Sequence, residues 1–288
     1  REKNIDINQL NGTGPVGRVT RDDVLGSGVP GAGATTSNTP VAKLAIPDFK
    51  SQGGALEERE PIRGIRRKIV AAMQLSKQVI PHFTLMDEAV VTQLVETRMQ
   101  MKVAAEEYGV KVTYLPLVMK ALIATCKKYP MLNASIDDNA NEIVYKKYFN
   151  LGFAADTPNG LVVPVIKNAD QKTILQISAE INELAIKARE GKLAPADLKD
   201  ATITVTNIGT IGGTYATPII NHPQVAILGM YKMVNKPVWK EDKFVPEKVM
   251  NFTITADHRL IDGAVAARFL SDFLAKIESP SKMLLEMV

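Results

Sequence analysis

The sequence predicts an α/β protein: a two-layer sandwich on a mixed sheet, carried behind a short helical module on a flexible tether. Three observations lead there. Runs of β-type residues, such as 202–206 and 252–255, are interspersed with amphipathic stretches at helical spacing, but without the regular strand–helix–strand order of a doubly wound fold. The stretch 113–128 is apolar on most sides, the pattern of a helix buried inside a layered domain. Between residues 26 and 58 the composition shifts to Gly, Ala, Ser, Thr and Pro, with few side chains able to pack, which marks a linker. The expected organisation is a small all-α module at 1–25, a linker at 26–58 and a large domain at 59–288.

The chain of 288 residues is 45% hydrophobic, enough for a sizeable core, and its net charge of +4 comes from acids and bases mixed along most of its length. A nucleic-acid footprint needs a clustered basic face, so nucleic acid is not an expected partner. No apolar run reaches the length of a membrane-spanning helix and no leader opens the chain, so no membrane partner is expected. The first residue is Arg1 rather than Met, which suggests a trimmed piece of something longer. The single cysteine, Cys126, sits in an apolar run and reads as a small core hydrophobe. No internal disulfide is then available, which fits a reducing compartment and a cytoplasmic location. The three histidines, His82, His222 and His258, lie far apart without zinc-ligand spacing, so no metal is expected.

In the first module, a turn-dense loop at 11–17 precedes Thr20-Arg21-Asp22-Asp23, which has the form of a capped helix start with acids in its first turn. So short a segment buries little core by itself. Tethered, it would hold a docked partner near the large domain at high effective concentration.

The large domain opens with a helix predicted over 62–80, with Pro61 in its first turn. Its basic cluster, Arg63, Arg66, Arg67 and Lys68, is either a solvated face or an anion site. Pro81 ends this helix and a strand follows at 82–90. Helices are predicted at 92–108, stopped by Gly109, and at 113–128, stopped by Pro130. Short strands come at 142–145, 150–155 and 161–166, the last two joined as a hairpin by the turn at 156–160. Ile174, Ile177, Ile181, Leu184, Ala185 and Ala188 step in threes and fours through an amphipathic helix ending at Gly191. The strand 202–206 runs into Asn207-Ile208-Gly209-Thr210-Ile211-Gly212-Gly213, whose glycines either let backbone approach a ligand or form a bulge. Residues 225–230 read as a buried strand, and 249–255 carry the chain to its most chemically pointed stretch.

That stretch is Ala256-Asp257-His258-Arg259-Leu260-Ile261-Asp262-Gly263, a strand end, a turn and the opening of an amphipathic helix. Asp262 stands where a helix cap is favoured. Histidine as a residue type titrates near neutral pH and is the commonest general base, which makes His258 a candidate for that role.

The segment D-H-R-L-I-D-G-A, preceded by T-I-T-V-T-N-I-G-T-I-G-G and P-I-I-N-H-P-Q-V-A-I-L-G, resembles the catalytic domain of the dihydrolipoamide acyltransferases, the cores of the 2-oxoacid dehydrogenase complexes. The resemblance extends upstream through I-R-R-K-I-V-A-A-M, I-P-H-F-T-L-M-D-E and D-T-P-N-G-L-V-V-P-V-I, and so covers nearly all of 60–288. Residues 1–25 resemble the second half of the peripheral-subunit-binding domain found in the same proteins, its first helix falling before Arg1.

The resemblance implies a chloramphenicol-acetyltransferase-like fold, trimers with active sites between subunits, and hollow cores of 24 or 60 copies. The implied reaction moves an acetyl group from S-acetyldihydrolipoamide to coenzyme A, with succinyl or branched-chain acyl transfer as alternatives and a non-catalytic scaffold as a remoter one. Within it His258 is the base that activates a thiol of ordinary pKa near 8.5. Thr206 supplies the hydroxyl for the tetrahedral oxyanion, an interaction worth about 3–4 kcal/mol. Asp262 holds the site in shape with an Arg of the Arg66–Arg67 pair. Asn207, Gly209, Arg66 and Arg67 are expected at the substrates, and Arg1 and Arg18 at a decarboxylase or dihydrolipoamide dehydrogenase partner. Lipoate is expected on a lipoyl domain outside this chain.

Overall fold

A computed structural model describes residues 12–14, 18–26, 48–51, 53, 56–158 and 160–286, and the chain divides into two compact units, Arg1–Arg59 and Glu60–Val288. In the first unit, helix α1 (Arg21–Gly26) begins as expected. Asp23 accepts from the Thr20 backbone N–H at 2.7 Å and hydroxyl at 2.9 Å, and from the Thr13 backbone N–H at 3.0 Å and hydroxyl at 2.7 Å. These donors, led by the Thr20 N–H, favour the charged form and hold the Asp23 carboxyl well below the ordinary carboxylate range. Arg1 and most of the expected linker lie outside the described residues.

The second unit runs α2 (Gly64–Val79), β1 (His82–Val90), α3 (Thr92–Glu106), α4 (Tyr114–Lys128), β2 (Ala134–Asp137), β3 (Glu142–Tyr145), β4 (Leu151–Phe153), β5 (Val165–Ile166), α5 (Ile174–Arg189), β6 (Ile203–Asn207), β7 (Ala226–Lys240), β8 (Lys243–Asp257), α6 (Gly263–Glu278) and α7 (Pro280–Glu286). Six strands form one mixed sheet in the order β1-β8-β7-β6-β4-β5, parallel at β7/β6 and β6/β4 and antiparallel elsewhere. β2 and β3 pair by themselves as a small antiparallel ribbon. No helix among the described residues is long and apolar enough to cross a membrane.

Alternation along the central strands gives the sheet two chemically different faces. Val205, Leu228, Phe252, Ile254 and Ala256 point to one side, where they meet Leu117, Met119 and Leu122 of α4 and Phe269 and Phe273 of α6. α4 is buried over Pro116–Cys126, as its all-round apolar pattern predicts, and Cys126 is a core residue. Each large side chain buried this fully contributes about 1.5–3 kcal/mol. The other face carries Thr204, Thr253 and Thr255, each no more than 1% exposed. Threonines can lie there because each hydroxyl finds a partner: Thr204 in the strap formed by residues 208–224, Thr255 in Thr84 of β1 at 2.8 Å, and Thr253 in Tyr231, which the strap holds in turn. Tyr231 Oη donates to the Ala216 carbonyl at 2.9 Å and shares a 2.7 Å bond with Thr253. Asn251 Nδ2 donates to the Thr214 carbonyl at 2.9 Å, Ser76 Oγ to the Ile220 carbonyl at 2.6 Å, and Thr204 Oγ1 to Gln224 Oε1 at 2.7 Å.

Three boundaries differ from expectation. Helix α2 starts at Gly64, not Ile62, because Arg63 is extended and Gly64 takes a left-handed φ of +56°. Pro61 therefore precedes the helix instead of sitting in its first turn. The expected strand 161–166 pairs with β4 only at Val165–Ile166, with one further bridge from Val162 to Ala155. The two core strands expected at 225–230 and 249–255 are the inner halves of 15-residue strands, β7 and β8, joined at a turn where Glu241 and Asp242 both have positive φ.

Candidate active site

β8 is buried from Val249 to Asp257, and its end delivers His258 to the surface. The backbone is fixed on both sides of this residue. Asp257 N–H donates to the Val225 carbonyl at 2.9 Å, His258 N–H to the Pro81 carbonyl at 3.0 Å, and Ile261 N–H to the Asp257 carbonyl at 2.9 Å. The imidazole packs on Phe83 with ring centroids 4.5 Å apart and is otherwise exposed. An immobile backbone with a solvent-facing ring suits a base that must meet an incoming thiol.

The carboxylate–guanidinium pair of this turn is not the expected one. Asp262 is the N-cap of α6, accepting from Val265 N–H at 2.8 Å. Arg66 and Arg67 sit in the exposed first turn of α2, Arg66 beside Gly160, and no ion pair between them and Asp262 is seen among the described residues. The pair that shapes the turn is Asp257 with Arg259. Asp257, 1% exposed, receives Arg259 Nε at 3.1 Å and Nη2 at 2.7 Å, while Arg259 Nη1 reaches Asp138 in the β2–β3 turn at 2.6 Å. Its hydrogen bonds to Asp257, ahead of any other influence, raise the Arg259 guanidinium above its ordinary pKa. Asp138 and the Asp257–Arg259 pairing were not picked out from sequence. The signal was present as a carboxylate and a guanidinium flanking His258 at a buried strand end.

Thr206, Asn207 and Gly209 do come together, at the end of β6 where the strap begins. Thr206 is partly buried and in register with Gly229 of β7. Asn207 Oδ1 accepts from Gly209 N–H at 3.0 Å and so tightens the turn. Gly209 is required by close approach: a Cβ there would lie 2.4 Å from the Tyr231 carbonyl oxygen. Register also separates the two groups of residues. Gly229 is opposite Thr253, five residues before His258, so two strand spacings and five residues place Thr206 and His258 about 19 Å apart in one chain. Thr206 and His258 therefore lie at opposite ends of this part of the sheet. In the first unit Arg18 is exposed and its carbonyl accepts from Gly14 N–H at 2.9 Å.

The chain thus presents an outward-facing imidazole at a strand end and a hydroxyl at a glycine turn, on a mixed two-layer sheet. The chain belongs to the family of 2-oxoacid dehydrogenase acyltransferase catalytic domains, which matches residues 54–285, and residues 1–25 match the E3 binding domain. Over 99% of its length it is 46% identical to the dihydrolipoyllysine-residue acetyltransferase component of the pyruvate dehydrogenase complex of Bacillus subtilis (strain 168), and it spans 66% of that protein. Among solved structures, Azotobacter vinelandii dihydrolipoamide acetyltransferase, investigated for the role of a serine, a histidine and an asparagine in its mechanism, matches with a TM-score of 0.79 and 39% identity. That match covers 83% of this chain and 100% of that one. The cubic core of the pyruvate dehydrogenase multienzyme complex matches with a TM-score of 0.79 and 38% identity, over the same shares of the two chains.

Proposed function

We propose that this chain is the acyltransferase core of a 2-oxoacid dehydrogenase complex, passing an acetyl group from S-acetyldihydrolipoamide to coenzyme A. The observation that carries the reading is the His258 ring, exposed at the end of a strand whose backbone is held on both sides. His258 takes the proton of the coenzyme A thiol, so that the sulfur reaches the thioester carbon as thiolate. Thr206 of a neighbouring copy donates its hydroxyl to the oxyanion that forms, and His258 returns the proton to the departing dihydrolipoamide sulfur. Asp262 caps the helix behind the turn and takes no proton.

The 19 Å between half-sites supports placing Thr206 and His258 in different chains of a trimer. Such trimers would assemble into a core of 24 or 60 copies, with Asn207, Gly209, Arg66 and Arg67 near the substrates. Residues 1–25, with Arg1 and Arg18, would hold the decarboxylase or the dihydrolipoamide dehydrogenase, the linker would run over 26–58, and the catalytic domain over 59–288. Lipoate would arrive on separate lipoyl domains, and the whole would work in the cytoplasm. Acetyl is favoured over succinyl or branched-chain acyl groups by the 46% identity to an acetyltransferase component.

The test is transfer to free dihydrolipoamide from acetyl-, succinyl- and isobutyryl-coenzyme A, run with the parent and with His258→Ala. Acetyl should be fastest and His258→Ala should lose at least about a hundredfold. A dominant rate with succinyl would overturn the substrate, and a His258→Ala rate within tenfold of the parent would overturn the base.

A further inference from the structure

We propose that His82 is a positioning residue for His258: by bridging the Ile80 carbonyl and the Ile220 N–H, it locks the segment whose Pro81 carbonyl receives the His258 backbone N–H. His82 opens β1, directly opposite Asp257 in the β1/β8 register, and is partly buried. Its Nδ1 lies 2.8 Å from the Ile80 carbonyl oxygen, and its Nε2 accepts from Ile220 N–H at 3.1 Å. A carbonyl can only accept and a backbone N–H can only donate, so the ring must carry its proton on Nδ1 and leave Nε2 bare. It is neutral and in a single tautomer.

Both partners are themselves anchored. Ile80 and Ile220, at 3% and 0% exposure, pack with Ile227 in a small apolar cluster on the threonine face, and Ser76 of α2 holds the Ile220 carbonyl from the other side. Between Ile80 and His82 lies Pro81, which has no N–H of its own, and its carbonyl takes the His258 N–H at 3.0 Å. Phe83, the next residue, is the surface on which the His258 ring packs. The backbone support and the ring support of His258 thus both come from the segment that His82 pins.

Protonating His82 would turn Nε2 into a donor facing another donor, and the bridge would open. The charged groups that act on the ring are Lys77 on α2 and Asp257 on β8; in sequence His222 lies two residues past Ile220 in the strap, and the His258 ring packs on Phe83. Burial, the largest influence, lowers the ring's pKa; Lys77 acts in the same direction and Asp257 against it.

The inference rests on His258 being the base, so His258→Ala is assayed in parallel with His82→Phe and His82→Gln, all in the assembled protein. His82→Phe fills the ring's space without hydrogen bonds. It should lower kcat roughly tenfold to a hundredfold, with KM for coenzyme A and for dihydrolipoamide within about threefold of the parent. His82→Gln, whose Oε1 can accept from Ile220, should recover at least about tenfold in kcat over His82→Phe. Equal losses in kcat and KM, a parental kcat in His82→Phe, or a glutamine variant no better than phenylalanine would overturn the positioning role. If His82→Phe does not fold, the acid limb decides. The parent should lose turnover with falling pH more steeply than His82→Gln, because two histidines must be neutral in one and one in the other. Limbs of equal steepness would overturn the inference. An active His258→Ala would instead overturn the assignment of the base.

Discussion

Gly209→Ala perturbs the proposed oxyanion half-site without removing any polar group. A Cβ at this position would stand 2.4 Å from the Tyr231 carbonyl oxygen, 2.6 Å from its carbon and 3.0 Å from Lys232 N, all of them backbone atoms of β7. Tyr231 and Lys232 lie at the register shift of β7 between Met230 and Met233, where Tyr231 Oη is bonded to the Ala216 carbonyl and Thr253 and Lys232 N–H donates to the Gly213 carbonyl at 3.3 Å, so the strand is held there as well. The turn must therefore move outward by about 1 Å to reach ordinary van der Waals separation, a distortion expected to cost about 1–3 kcal/mol. That movement drags Asn207, whose Oδ1 holds Gly209 N–H, and with it Thr206 one residue earlier. A 1 Å misplacement of a transition-state donor costs on the order of a hundredfold in rate. The assay is acetyl transfer from acetyl-coenzyme A to dihydrolipoamide, with Ile211→Ala, a 77% exposed residue of the same turn, as the control. The expected result is a kcat about a hundredfold down for Gly209→Ala and near parental for the control. A Gly209→Ala enzyme within threefold of the parent would show that the turn does not position Thr206 for the reaction.

Asp262→Ala should lose about 1 kcal/mol of stability in thermal unfolding while Asp262→Asn stays close to the parent, because asparagine caps as well as aspartate; a large loss in the asparagine variant would mean that the charge itself is needed. Arg259→Ala would strand the Asp257 carboxylate at 1% exposure and should destabilise the chain by about 3 kcal/mol in urea unfolding, with a loss below 1 kcal/mol contradicting the pairing. His82 sets a pH dependence whose sign follows from burial. The unfolded ring takes its proton near pH 6.5 and the folded ring only at lower pH, so the contribution is complete above about pH 6.5 and is lost as pH falls from there toward the folded value. Urea midpoints measured on parent and His82→Gln from pH 7.5 to about 5.5 should converge on the acid side, and parallel curves would contradict this.

Much of the fold could be read from the sequence where a single periodicity governs a long segment. Helix α4 is apolar all round and is buried; α5 shows a threes-and-fours step and a glycine stop at Gly191, whose φ is +68°. β1 matches its expected span of 82–90. The outer half of the β7–β8 hairpin was hidden because its signals point the wrong way. Pro237 and Pro246 face each other in register, its edges carry lysines and glutamates, and its turn is Glu241-Asp242 rather than a glycine pair. β2 escaped because Ala134-Ser135-Ile136-Asp137 has no strong strand preference and is fixed by pairing with β3.

The site divided in the same way. His258 stands out by its residue type and its place at a strand end and Thr206 by resemblance, and the role of each is a proposal. Within one chain Asp262 makes no ion pair with Arg66 or Arg67 among the described residues, and sequence distance does not say which of two nearby carboxylates is buried. Asp257 ends inside the sheet and must have a counter-ion, whereas Asp262 faces solvent and caps a helix. The roles of His82, Tyr231 and Asn251 depend on a strap that crosses the sheet far from them in sequence, and no local pattern reports it.

The central claim, that each site takes its base from one chain and its oxyanion donor from another, is tested by mixing. His258→Ala and Thr206→Ala chains are prepared separately, each with strongly reduced transfer activity, then unfolded and reassembled together at equal amounts. If sites are shared, random assembly gives about a quarter of them an intact His258 from one chain and an intact Thr206 from its neighbour, and activity should rise to about a quarter of the parent's. If the mixture is no more active than the average of the two variants refolded alone, base and donor belong to the same chain and the shared site is wrong.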